Sequence, residues 1–188
     1  MNITLIGMAG SGKSAVGRAL AKRLKYGFVD TDDLIELKSG MQLQQILDTL
    51  GRDEFIKTEE LAILELCKYG MGTDNRNYHV IATGGSVIYS EKAMDFLKRN
   101  SIVVFLNAPL SILKKRLRNM DSRGIVGLKD KGLDELFNER LALYKKYSDI
   151  TIGLYEEGRI GNTVDSIFER IQHEPSKAAI RIIGNNQK

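Results

Sequence analysis

Short runs of aliphatic and β-branched residues alternate with longer stretches of helical period along this chain. The runs at 3–6, 27–30, 79–82, 102–106 and 149–152 predict strands. They are mostly apolar without polar alternation, the pattern of strands covered on both faces. Helical spacing predicts helices near 13–24, 43–69, 90–99, 109–119, 132–147 and 162–173. In the first of these Val16, Leu20 and Leu24 recur every four residues, with Ala15 and Ala19 beside them. Such alternation predicts an α/β fold of βαβ units around a parallel sheet. Gly70 to Asn77 predicts a surface loop, Gly124 to Gly132 a mobile segment, and Pro175 a stop before a tail.

The 188 residues suit one domain, expected over 1–173 with a C-terminal tail at 174–188. Apolar residues at 43% and charged ones at 28% are enough for a real core. The net charge of +4 suits anionic ligands, but two of those charges lie in the tail, on Lys177, Arg181 and Lys188 against Glu174. A single cysteine, Cys67, excludes an internal disulfide or a multi-thiolate cage, and Cys67 is expected in the core. His79 and His173 are too few for a histidine-built metal site and are expected to be structural. No apolar run approaches the roughly 20 residues that span a bilayer, and the N-terminus has no secretory pattern. A cytoplasmic protein with no membrane partner is expected.

The segment Gly7-Met8-Ala9-Gly10-Ser11-Gly12-Lys13-Ser14 satisfies G-x-x-x-x-G-K-[ST], with an apolar strand before it and an amphipathic helix after it. Glycines let backbone N–H groups wrap a phosphate, and the helix N-terminus adds partial positive charge there. Gly10, Ser11, Gly12, Lys13, Ser14 and Ala15 are thus expected to hold ATP. Lys13 would reach the β- and γ-phosphates, and the Ser14 hydroxyl would ligate Mg²⁺. Gly17 predicts close packing of this helix on the sheet. The absence of N-K-x-D and of an ABC signature favours a small-molecule or nucleotide kinase.

Asp30, Asp32 and Asp33 end the second strand, on the rim where open parallel sheets bind ligands. Asp30 is expected in the magnesium environment and Asp32 at a hydroxyl that loses its proton. The alternative is helix capping, expected above all of Asp33. Arg140 falls on the apolar stripe of Leu133, Leu136, Phe137, Leu141, Tyr144 and Tyr147, so it either snorkels, finds an internal acid or anchors an anionic substrate. Thr83-Gly84-Gly85-Ser86 is either a plain turn or a source of rim amides. Lys114, Lys115 and Arg118 are expected on a solvated face, whereas Arg116 and Arg123 could close over a phosphoryl group. No aromatic run accompanies these cations, so no nucleic-acid partner is expected.

In this order the pieces resemble the shikimate kinase family of P-loop kinases, from about Asn2 to Ile171. The likeness rests on the Gly7 to Ser14 loop, Asp30-Thr31-Asp32 with Ile35-Glu36, and Gly51 with Phe55 and Glu59. It continues through Gly84-Gly85, Ala108-Pro109 with Arg116, Arg123, and Arg140 with Tyr144. It implies a three-layer α/β/α sandwich with a five-stranded parallel sheet in the order 2-3-1-4-5. It also implies a substrate-binding region near 33–62 and a lid near 118–132. The implied reaction is ATP-dependent phosphorylation of the shikimate 3-hydroxyl by a monomer. Carried over, Lys13, Asp32 and Arg123 are catalytic, Ser14 and Asp30 serve the metal, and Arg116 stacks on adenine. Asp32, Gly84, Gly85 and Arg140 bind substrate, with Arg140 on its carboxylate.

Three places in the chain depart from the family pattern. Ile56 stands where an arginine would share the carboxylate, Ser86 where a third glycine is usual, and Arg123-Gly124-Ile125-Val126 where Arg-Pro-Leu-Leu is expected. One lost charged hydrogen bond weakens carboxylate binding roughly 10- to 100-fold. Lys57 points about 100° away from position 56 and lacks the bidentate fork. A kinase of another hydroxylated metabolite and a silent ATP-binding regulator are therefore carried as alternatives.

Overall fold

Five apolar runs pair into one parallel sheet of order β2-β3-β1-β4-β5 in the computed structural model, which describes residues 1–66, 78–117, 124–155 and 158–173. The strands are β1 (Asn2–Ile6), β2 (Gly27–Asp30), β3 (His79–Ala82), β4 (Ser101–Asn107) and β5 (Ile150–Gly153). The helices are α1 (Lys13–Leu24), α2 (Thr31–Ser39), α3 (Leu43–Leu64), α4 (Glu91–Asn100), α5 (Leu110–Leu117), α6 (Leu128–Tyr147) and α7 (Ile160–His173), with a 3₁₀ turn at Val87–Tyr89. The chain steps one way across the sheet from β1 to β2 and the other way from β3 to β4. Right-handed crossovers therefore put α1 and α4 on opposite faces and make a three-layer sandwich. The reversal leaves a crevice at the C-terminal end of β1.

The central strands β1 and β4 are buried almost throughout, whereas β5 at the edge alternates buried and exposed positions. Leu5, Leu20, Val104 and Phe105 belong to the main core, and burying each such side chain contributes about 1.5–3 kcal/mol. Gly17 closes α1 onto the sheet as expected: a Cβ there would lie 2.6 Å from the Phe28 ring. A second apolar cluster joins Ile35, Ile46, Phe55, Ala62 and Val126, with Leu43, Leu47 and Ile56 packed against it.

Three helices differ from the sequence pattern, the first being α2 (Thr31–Ser39), which the helical spacing does not predict. The long helix expected over 43–69 is broken at Gly51 (φ 76°, ψ 177°), a backbone geometry that a side chain would strain. The helix expected from 132 starts one turn earlier, at Leu128, and breaks at Gly132. The Gly124 to Gly132 segment, expected to be mobile, buries Ile125 and Val126, and the Gly124 amide donates to Gln44 Oε1 at 2.9 Å. Cys67, the Gly70 to Asn77 loop, Arg118, Arg123 and the tail from Glu174 lie outside the described residues.

Candidate active site

The loop after β1 turns into α1 through Gly12, whose left-handed backbone (φ 94°) caps the helix. The first amides of α1 have no intrahelical acceptors, which makes this turn an anion cradle. The Lys13 ammonium is buried and donates to the carbonyls of Gly7 (2.9 Å) and Met8 (3.0 Å). Burial pushes its pKa down, and the Asp32 and Asp30 carboxylates counter that push. The Arg116 guanidinium reaches back from α5 to the Gly10 carbonyl at 2.9 Å.

A cavity of about 450 Å³ opens over this loop, with Gly10, Gly12, Lys13, Ser14 and Ala15 at one end and Glu59, Gly85, Ser86 and Arg140 in its wall. Asp32 and Gly84 line it as well. A smaller, more apolar cavity of about 210 Å³ adjoins it; Ser11, Ala15, Arg116, Leu154, Tyr155 and Thr163 are among its walls.

The three acids at the end of β2 take separate places. Asp30 is the N-cap of α2, its Oδ1 accepting from the Asp32 amide at 3.2 Å. Asp33 sits in the first turn and pairs with Arg18 at 3.0 Å on the surface. Asp32 faces the cavity. Burial is the main cause that lifts its carboxyl to about 6, Lys13 pulling it down and Asp30 pushing it up.

Gly84 does not offer a free rim amide, because its N–H donates to Thr31 Oγ1 at 3.1 Å. What it supplies is room. A Cβ there would collide with the Glu59 carboxylate and lie 3.0 Å from Asp32 Oδ1. The neighbouring Gly85 accepts the Tyr144 hydroxyl at 2.7 Å, and a Cβ on it would lie 3.1 Å from Arg140 Nη1.

Arg140 is 1% exposed, so it does not snorkel, and among the described residues no acid pairs with it at contact range. Its Nε donates to the Tyr89 hydroxyl (3.2 Å) and its Nη2 to the Val126 carbonyl (2.7 Å), both uncharged. A buried cation so placed in a cavity wall is suited to an anionic ligand.

Glu59 had no assigned role in the sequence. It is 3% exposed, lines the cavity and has one oxygen, Oε2, without a hydrogen-bond partner. Burial lifts its carboxyl to about 7, and the Asp32 charge adds to that, while hydrogen bonds from Ser86 and the Arg140 charge oppose it. Ser86, a departure from the family pattern, thus serves Glu59. Ile56 is not part of the cavity wall and packs into the second apolar cluster.

No group of three or more His, Cys, Asp or Glu able to cage a metal occurs among the described residues. The oxygen donors at hand, the exposed Ser14 hydroxyl and the Asp30 and Asp32 carboxylates, fit Mg²⁺, which keeps waters and binds through a few protein oxygens plus phosphates.

Comparison with known proteins points the same way. The family model for shikimate kinase matches residues 9–174. The shikimate kinase of Thermodesulfovibrio yellowstonii is 33% identical over 176 residues, covering 92% of this chain and 97% of that one. The shikimate kinase of Francisella tularensis subsp. novicida is 34% identical over 172 residues, 90% of this chain and 92% of that one. A solved shikimate kinase from Acinetobacter baumannii, in complex with shikimate, superposes with a TM-score of 0.81 at 30% identity, covering 94% of this chain and 95% of its own. A phosphate loop under a cavity walled by Asp32 and Arg140, together with a family match along nearly its whole length, makes this chain a member of the shikimate kinase family.

Proposed function

We propose that this chain transfers the γ-phosphoryl group of ATP to the 3-hydroxyl of shikimate, giving shikimate 3-phosphate and ADP on the route to chorismate. The observation that carries this reading is one cavity with a phosphate loop and Asp32 at one end and a buried guanidinium, Arg140, in its wall. The adenine would lie in the adjoining smaller cavity against Arg116, with the phosphates on the amides of Gly12, Lys13 and Ser14. Lys13 exchanges its loop carbonyls for the β- and γ-phosphates. The acceptor oxygen attacks the γ-phosphorus, its proton passes to Asp32, and the bond from phosphorus to the β–γ bridging oxygen breaks as ADP leaves. A carboxyl poised near 6 is mostly ionised at neutral pH yet basic enough to accept that proton.

Mg²⁺ on Ser14, with Asp30 reached through water, would neutralise phosphate charge. Arg140 and the Gly85 backbone hold the acceptor's carboxylate end, and Gly84 keeps that wall open. Arg123 supplies a further cation from the lid at 118–132. The assignment includes a single domain over 1–173, a substrate-binding region near 33–62, and a cytoplasmic monomer. No helix among the described residues is long and apolar enough to cross a membrane.

A second reading, a different hydroxylated acceptor, draws on Ile56, which brings no cation to the wall beside Arg140. A panel of hydroxylated acceptors with Mg-ATP, followed by ADP release, tests both. Turnover of shikimate supports the first reading, and turnover of another acceptor alone replaces it with the second. ATP binding without turnover of any acceptor leaves a regulatory protein.

A further inference from the structure

Tyr89 lies on the 3₁₀ turn that follows Gly84 and Gly85, outside the walls of both cavities. Its hydroxyl accepts from Arg140 Nε at 3.2 Å and donates to Glu139 Oε1 at 2.7 Å. The other Glu139 oxygen is held by the Lys131 ammonium. The Tyr89 ring carries two guanidinium groups, those of Arg52 and Arg140, each 5.2 Å from its centroid. Glu139 therefore precedes Arg140 in the chain yet reaches it only through a phenol.

That arrangement has a chemical consequence. A carboxylate set directly on Arg140 would neutralise the guanidinium and compete with an anionic ligand. A hydroxyl between them fixes the geometry and leaves the positive charge available. With Nε tied to Tyr89 and Nη2 to Val126, the remaining nitrogen, Nη1, is the one beside Gly85 in the cavity wall. Because Ile56 brings no second cation, orientation of this single arginine governs how well an anion is held.

We infer that Tyr89, braced by Glu139 and Lys131, is a positioning residue that aims Arg140 at the anionic end of the acceptor. This rests on the reading of the cavity as an acceptor site. Tyr89→Phe keeps the ring and its packing and removes only the hydroxyl. The variant raises the KM for shikimate about five- to tenfold while kcat and the KM for ATP stay within about twofold. The methyl ester of shikimate, which has no carboxylate, loses less than about twofold. Glu139→Ala shifts the shikimate KM in the same direction, and Glu139→Gln, which keeps an acceptor oxygen for Tyr89, restores most of it.

A second readout does not depend on the acceptor: solvent exchange of the Arg140 Nε–H, followed by arginine side-chain NMR, speeds up about tenfold in Tyr89→Phe. Unchanged exchange overturns the inference, as does an equal KM loss for shikimate and its ester. Faster exchange in a protein that turns over no shikimate leaves Tyr89 as the residue that orients Arg140 and removes the acceptor assignment instead.

Discussion

The Glu59 carboxylate and Asp32 Oδ1 flank the same point in space, the Cβ that Gly84 does not have. Two acids are thereby brought to one wall, where burial lifts them to about 7 and about 6. Gly84→Ala would drive a methyl group into both. We expect it to cost about 1–3 kcal/mol of stability, read by urea denaturation, and to suppress turnover in whatever protein still folds.

The raised carboxyls give stability a definite pH dependence. Glu59 moves from an ordinary 4.5 to about 7 on folding, so the native state binds more protons than the unfolded chain between those values. Stability of the ligand-free protein therefore falls as pH rises through 4.5–7 and levels off above 7. Asp32 acts in the same direction between 3.8 and about 6. Glu59→Gln should flatten much of the slope and gain up to about 3 kcal/mol at pH 8 relative to the parent. Denaturation midpoints at pH 5 and pH 8, compared between parent and variant, check this.

With Asp32 as the proposed proton acceptor, its carboxyl is also expected to set the acid limb of activity. The proton acceptor must be ionised, so kcat/KM falls tenfold per pH unit well below about 6. Asp32→Ala should lower kcat by at least about 10²-fold while ATP affinity is retained. Lys13→Ala should nearly abolish turnover with weakened nucleotide binding. A fully active Asp32→Ala protein would remove the proton-acceptor role.

Arg140 and Glu59 show how much of this site was legible beforehand. Arg140 announces itself as a charge in an apolar stripe, and it is indeed buried between Leu136 and Tyr144 on that face. Glu59 carries the same mark, since it lies four residues after Phe55 and three before Ala62, all three buried on α3. Its neighbour Glu60 and the acids before it make the segment read as a solvated face, which hides the signal. The strands and the phosphate loop follow from local pattern and motif, whereas the order of the strands follows from the resemblance to the shikimate kinase family. The break at Gly51 does not, because nothing in the apolar spacing distinguishes a left-handed glycine from a helical one. The amide of Gly84 looked free because its acceptor, Thr31, lies 53 residues away in the chain.

Ile56 separates the substrate question from the packing question. It contacts the second apolar cluster and does not reach the cavity wall. Ile56→Ala should therefore cost about 1–2 kcal/mol of stability and leave the acceptor KM within about twofold, measured by denaturation and steady-state kinetics.

Arg116 is expected to act on the nucleotide side alone. Its Nη1 holds the Gly10 carbonyl and its side chain walls both cavities. Arg116→Ala should raise the KM for ATP about tenfold with the acceptor KM unchanged, checked by varying each substrate in turn.

Gly12, Ala15 and Arg116 line both chambers, so the two lie against each other across these residues. A single synthetic molecule carrying a flat heteroaromatic head, a polyanionic neck and a carboxylated tail could occupy both at once. Such a bisubstrate inhibitor would gain effective concentration at its second contact from the shared wall, and its selectivity would come from the tail, beside Arg140 and Glu59.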